Sequence, residues 1–199
     1  MNAATANPLV FAETAEVLSG GNFHGQPLAM AADQMAVSIA TLAGISERRT
    51  EQMVNPQMSG LPAFLVAEPG LNSGFMILHV AAAALVSETR AMSFPHSVDS
   101  VPTSANQEDY VSMGMGAARR LSAMLENLRN VLAIELLAAC QGLEYLAPLG
   151  TGLHAQKAKD LLRSVSKPVD KDRSLSADIA AVSRLIADGE FQKVLQSAL

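Results

Sequence analysis

The sequence contains no tryptophan, and only 4% of its residues are aromatic. That scarcity argues against a strand-built core, which aromatic and β-branched side chains usually fill. A single cysteine, Cys140, excludes an internal disulfide. Its apolar surroundings (residues 131–140) suit a small core residue; a catalytic thiol is the other reading, but no activating partner stands beside it. Basic residues are outnumbered, 14 Lys and Arg against 19 Asp and Glu, and they form no cluster, so the footprint of a nucleic-acid partner is missing. The four histidines, His24, His79, His96 and His154, lie far apart with no His-x-x-x-His pair, and no metal site is expected. No basic stretch leads into an apolar core at the N-terminus. The longest apolar stretch, residues 75–86, is too short for a bilayer and contains His79. A soluble, cytoplasmic protein with neither membrane nor nucleic-acid partner is the expectation.

What the chain has in quantity is alanine, leucine and ten methionines within a composition that is 49% hydrophobic. Such a balance favours helices packed closely through small side chains. An all-α, long-helix bundle with a small N-terminal β-hairpin is therefore expected. Leu9-Val10-Phe11 and Val17-Leu18 flank a polar link and read as the hairpin, ending at Gly20-Gly21. Pro27 sits where a first helical turn would start. Leu28, Ala31, Met35, Ile39 and Leu42 then form an apolar stripe, in a helix that can continue past Gly44 to Val54 before Asn55-Pro56 stops it. A second helix is expected over 72–92, and a third from Gln107 to about Tyr145. A Pro-broken region follows, and an amphipathic helix or helix pair closes the chain over 178–195. These elements group as a hairpin and glycine-rich turn (1–26), a bundle segment (27–147) and a C-terminal helical segment (148–199). At roughly 1.5 Å per residue the third helix would be about twice as long as a compact domain of this size is wide, so association with a partner is expected.

Candidate chemistry concentrates in two places. Residues 97–114 run S-V-D-S-V-P-T-S-A-N-Q-E-D-Y-V-S-M-G, a polar loop leading into the third helix. Glu108 and Asp109 fall in the first turn of that expected helix. They read either as acids favoured by the helix dipole, capped by Ser104 or Asn106, or, for Glu108, as a recognition or proton-transfer group aimed into a pocket. Gly20-Gly21-Asn22-Phe23-His24-Gly25 is a tight turn that either packs Phe23 inward or offers it as the wall of a ligand site. Residues 70–75, G-L-N-S-G-F, could host an anion or simply allow close helix packing.

Taken together, several segments resemble histidine ammonia-lyases of the aromatic amino acid lyase superfamily. They are Asn-Pro-Leu-Val-Phe (7–11), Ser-Gly-Gly-Asn-Phe-His-Gly (19–25), Ser-Gly-Leu-Pro-Ala-Phe-Leu (59–65), Gly-Leu-Asn-Ser-Gly-Phe-Met (70–76), the 97–114 run, and Ala-Ile-Glu-Leu-Leu-Ala-Ala-Cys-Gln-Gly (133–142). They occur in family order, and the resemblance covers the C-terminal portion of such an enzyme. Asn106-Gln107-Glu108-Asp109 carries the histidine-type carboxylate where phenylalanine and tyrosine ammonia-lyases have an Asn-Gln-Asp-type sequence. Two departures stand out: Ala6 where Asp is usual and Tyr110 where His is usual.

The resemblance implies elimination of ammonia from L-histidine to give trans-urocanate. It implies Glu108 as the catalytic or imidazole-contacting carboxylate, with Gln107 beside it and Phe23 lining the pocket. It also implies the electrophile 4-methylidene-imidazol-5-one, made by cyclisation of an internal Ala-Ser-Gly, and a homotetramer with shared active sites. No Ala-Ser-Gly occurs in these residues; Leu18-Ser19-Gly20, Met58-Ser59-Gly60 and Asn72-Ser73-Gly74 are its only partial likenesses. By this reading the chain supplies one wall of a site, and an N-terminal lyase chain completes it. The alternative reading is a non-catalytic assembly or regulatory subunit, or a truncated remnant, that associates with full-length lyase.

Overall fold

The computed structural model describes residues 3–196. Helices make up the fold apart from one antiparallel hairpin, β1 (Leu9–Phe11) and β2 (Glu16–Leu18), with Leu9 opposite Leu18 and Phe11 opposite Glu16. The helices are α1 (Gln26–Val54), α2 (Pro56–Ser59), α3 (Met76–Met92), α4 (Gly114–Glu144), α5 (Leu153–Arg163), α6 (Ser176–Ala187) and α7 (Glu190–Gln196). Asn55 ends α1 and starts α2. Its extended backbone suits a residue before proline, and its side-chain oxygen accepts the Gln57 amide at 3.0 Å.

The chain divides into two compact units, one made of residues up to Ser38 with Ala91–Met124, the other of Ile39–Arg90 with residues from Leu125 on. In the first unit Ala29 and Ala32 of α1 meet Ala117 of α4, with Leu121 against them, the close small-residue contact that the composition suggests. In the second unit Phe75, Leu65, Ile134, Leu137, Leu162 and Val182 are almost fully buried. Burying each such side chain stabilises the fold by about 1.5–3 kcal/mol.

Four expectations need correction. The α1 stripe is reversed: Leu28, Ala31, Met35 and Leu42 are exposed, and of the five named only Ile39 is buried. Ala29, Ala32, Ala36 and Ala43 face inward instead, because close backbone approach requires the small residues there. Helix α3 starts at Met76 rather than residue 72. Gly74 has a left-handed backbone (φ +53°), and the Ser73 and Gly74 amides turn away from the helix to bind the Asp172 carboxylate at 2.8–3.0 Å. The anion that residues 70–75 could host is thus the chain's own Asp172. Helix α4 begins at Gly114, not Gln107. Finally, α5 occupies part of the region expected to be Pro-broken; its Arg163 and Lys159 grip Glu144 at 3.0 and 3.1 Å.

Helix α1 is also long and apolar enough to cross a membrane by length and composition, which the 75–86 stretch did not suggest. Leucine, isoleucine and valine set among the alanines supply most of that hydropathy. Asp33 and Glu47 sit buried along the same helix with charged or ionisable partners, as in a packed helix.

Buried polar groups pin the second unit. Asp178 accepts the Ser166 hydroxyl at 2.6 Å and a two-pronged contact from Arg173 at 2.7 and 2.9 Å. Burial pushes its carboxyl up, but Arg173 and Ser166 more than reverse this and hold it below the usual carboxylate range. A depressed folded value means the stabilisation is present above the unfolded value, about 3.9, and is lost as pH falls through the folded one. Asp178→Asn should therefore flatten the acid limb of urea-melt stability below about pH 4. An unchanged acid limb would contradict the assignment.

Candidate functional site

The site builds up within the first unit. The hairpin returns the chain so that the Gly20 amide donates to Asn7 Oδ1 at 3.0 Å, and His24 closes the following turn by donating its amide to Gly21 O at 3.1 Å. Phe23 stands half exposed on that turn, its ring centre 6.4 Å from that of His24. His24 Nδ1 accepts the Gln26 amide at 3.2 Å. This leaves Nε2 to carry the proton and donate it to the Tyr110 carbonyl at 3.1 Å. The His24 and Tyr110 rings also stack, 5.6 Å apart and 28° from parallel.

Facing this turn is the long connection between α3 and α4. Thr103 and Glu108 exchange backbone hydrogen bonds of 2.9 and 3.2 Å, closing a tight reversal over Ser104, Ala105 and Asn106. Those three residues all have left-handed backbones (φ 54°, 55° and 69°), which cost non-glycine residues energy. Glu108 and Asp109 therefore lie in this exposed reversal and not in a first helical turn; dipole stabilisation with a Ser104 or Asn106 cap does not apply.

Thr5, Asn7, Phe23, His24 and residues 107–110 line one open recess of about 740 Å³. The three residues singled out in the sequence, Phe23, Gln107 and Glu108, all border it. Sequence reasoning missed His24 and Tyr110 as partners of that wall. The adjacency of His24 to Phe23 in a glycine-flanked turn was the available signal. With an exposed carboxylate, a side-chain amide and three rings around it, the recess suits a small polar or cationic ring.

The connection is held at its root by Asp33. This residue accepts the His96 amide at 3.2 Å and the Ser97 amide at 2.7 Å, and Arg120 donates to it and to the Phe94 carbonyl. Burial raises the Asp33 carboxyl, but the Ser97 hydroxyl, the two amides and Arg120 bring it below its ordinary value.

Other places offer less. A recess of about 820 Å³ in the second unit is bordered by Ile77, Leu78, Ile134 and Ile179, and its polar rim is already engaged, Asp172 by backbone amides and Arg173 by Asp178. Burial pushes the Cys140 thiol up, more than Arg163 and Lys159 bring it down, which suits an inert core residue. Among the described residues no three His, Cys, Asp or Glu side chains are grouped to hold a metal.

Nor do these residues fit the precursor of the 4-methylidene-imidazol-5-one group. Of the three Xaa-Ser-Gly tripeptides none begins with alanine. Ser59 is tied to Asn55 O and the Leu61 amide, while Ser73 and Gly74 are committed to Asp172. No chemical step through that group can be derived from this chain.

The family model described as aromatic amino acid lyase matches residues 1–165. Histidine ammonia-lyase of Legionella pneumophila (strain Corby) is 55% identical over 190 residues, 96% of this chain and 38% of its own length. The crystal structure of histidine ammonia-lyase from Trypanosoma cruzi superposes with a TM-score of 0.94 at 50% identity, over 98% of this chain and 39% of that one. Tyrosine aminomutase from Streptomyces globisporus gives 0.90 at 36% identity, over 96% and 36%. The chain thus spans less than two-fifths of the length of these relatives. With a family match over most of its residues and a shared helical fold, the chain belongs to the aromatic amino acid lyase family.

Proposed function

We propose that the chain supplies the C-terminal part of a histidine ammonia-lyase, forming trans-urocanate and ammonia from L-histidine in the cytoplasm within a tetramer-like assembly. The observation that carries the reading is the convergence of Phe23, Gln107 and Glu108 on one recess. Glu108 holds the substrate imidazole or moves its proton, Gln107 offers a neutral amide beside it, and Phe23 bounds the ring. A lyase portion containing Ala-Ser-Gly has to supply the electrophile.

The test is urocanate absorbance on adding L-histidine to the chain alone and to the chain co-expressed with such an N-terminal portion. Activity is expected only in the mixture. Glu108→Gln should lower kcat by about 10²–10⁴-fold, the range of a proton-transfer group. A mixture that turns over equally well with Glu108→Gln would remove Glu108 from the chemistry.

A second reading, an assembly or regulatory subunit, draws on the exposed Leu28, Met30, Met35 and Leu42 of α1. Co-purification with full-length lyase, without added activity, is its expected signature.

A further inference from the structure

We propose that Asp33 and Arg120 are positioning residues, an ion-paired strap that holds the α3–α4 connection so that Gln107 and Glu108 stand beside Phe23. The proposal rests on the reading of Glu108 as a substrate-facing group. Neither residue of the strap borders the recess, so neither would touch a ligand bound there.

Both side chains are 7% exposed, and beyond each other they bond the connection at Phe94 O, His96 N, Ser97 N and the Ser97 hydroxyl. Gln26 adds a bond from its amide to Ser97 O at 3.1 Å. Three of the four groups bonded by the pair are backbone, so the grip fixes the path of the chain itself. The far end is held separately, by His24 on the Tyr110 carbonyl and by Ser100 Oγ accepting the Val111 amide at 2.8 Å. Between the two anchors lie Ser104, Ala105 and Asn106 in left-handed conformation. A strained reversal persists only where its surroundings over-determine it. Two anchors, one buried and charged, meet that need, and the reversal they sustain presents Gln107 and Glu108.

Burying an ion pair is a poor route to stability, since desolvation offsets much of the attraction. A pair whose remaining bonds all go to one connection is better explained by what it holds. Removing one partner would strand a buried charge, so the informative variant removes both, Asp33→Leu with Arg120→Met.

The experiment compares the full chain with this double variant and with Asp33→Glu. Backbone amide exchange is read by NMR at residues 96, 97 and 104–108, and kcat and KM are read in the mixture with the N-terminal portion. The double variant should keep its helix content, exchange at least tenfold faster at these amides, and lose kcat on the order of 10²-fold as the carboxylate is misplaced. KM should move far less, and Asp33→Glu should recover part of the loss. If the double variant fails to fold, Gln26→Ala loosens the same connection at Ser97 and should shift exchange in the same direction. Unchanged exchange at 104–108 overturns the strap whatever the mixture does. Faster exchange with unchanged kcat overturns the positioning role. A wild-type mixture without activity sinks instead the assignment of Glu108, which the exchange data do not depend on.

Discussion

Gln141→Leu is expected to destabilise the chain by roughly 3 kcal/mol or more, the cost of stranding several buried polar groups at once. Gln141 is 2% exposed on α4. Its amide nitrogen donates to Leu65 O at 3.2 Å and to Val169 O at 2.9 Å, and its oxygen accepts the Val169 amide at 3.0 Å. One side chain thus satisfies three backbone groups: Leu65 O, at the end of a 3-10 turn over Ala63–Leu65, and both the amide and the carbonyl of Val169, which lies outside the helices. Leucine fills a similar space but offers none of these bonds, so the gain in apolar burial is set against three unmet polar groups. Urea denaturation of the variant beside Gln52→Leu, an exposed position on α1, isolates the effect. A loss below about 1 kcal/mol would show that the segments find other partners.

Gly74→Ala should be comparably severe for a different reason. Its left-handed backbone costs an L-residue about 1–2 kcal/mol. A Cβ would also lie 2.6 Å from both Phe64 O and Val66 Cβ. Neither neighbour can retreat cheaply, because Phe64 O accepts the Phe75 amide at 2.9 Å and Val66 is fully buried. Gly60 supplies the comparison. It has φ +70° at the end of α2, with nothing within 4 Å of an added Cβ, so Gly60→Ala carries the backbone cost alone. Gly74→Ala is expected to lower the urea midpoint by at least twice as much as Gly60→Ala. Equal losses would mean the collision is relieved by movement.

The readable parts of the fold were those governed by local chemistry. Leu9-Val10-Phe11 and Val17-Leu18 flank a polar link and fall in the two strands of the hairpin, and Asn55-Pro56 stops α1 where proline demands it. The face of α1 was not readable. Periodicity finds apolar stripes but does not say whether the large or the small stripe turns inward, and here alanines 29, 32, 36 and 43 do. The start of α4 was hidden because three left-handed residues in a row included no glycine to mark them. At the site, Glu108 and Phe23 were each one of two readings of a polar loop and a glycine-flanked turn, Gln107 came from a resemblance, and all three border one recess. Asp33 and Arg120 escaped notice since nothing local pairs residues so far apart in sequence.

That separation bears on how the protein is made. Asp33 meets Arg120 87 residues further along the chain. At a synthesis rate of about 5–20 residues per second, α1 emerges from the ribosome several seconds or more before its partner exists. Throughout that interval it is an apolar segment with an unpaired acid, and the first compact unit cannot close, because its second half, Ala91–Met124, has yet to be translated. Until Arg120 is made, α1 therefore has neither its ion-pair partner nor the half of the first unit against which it packs.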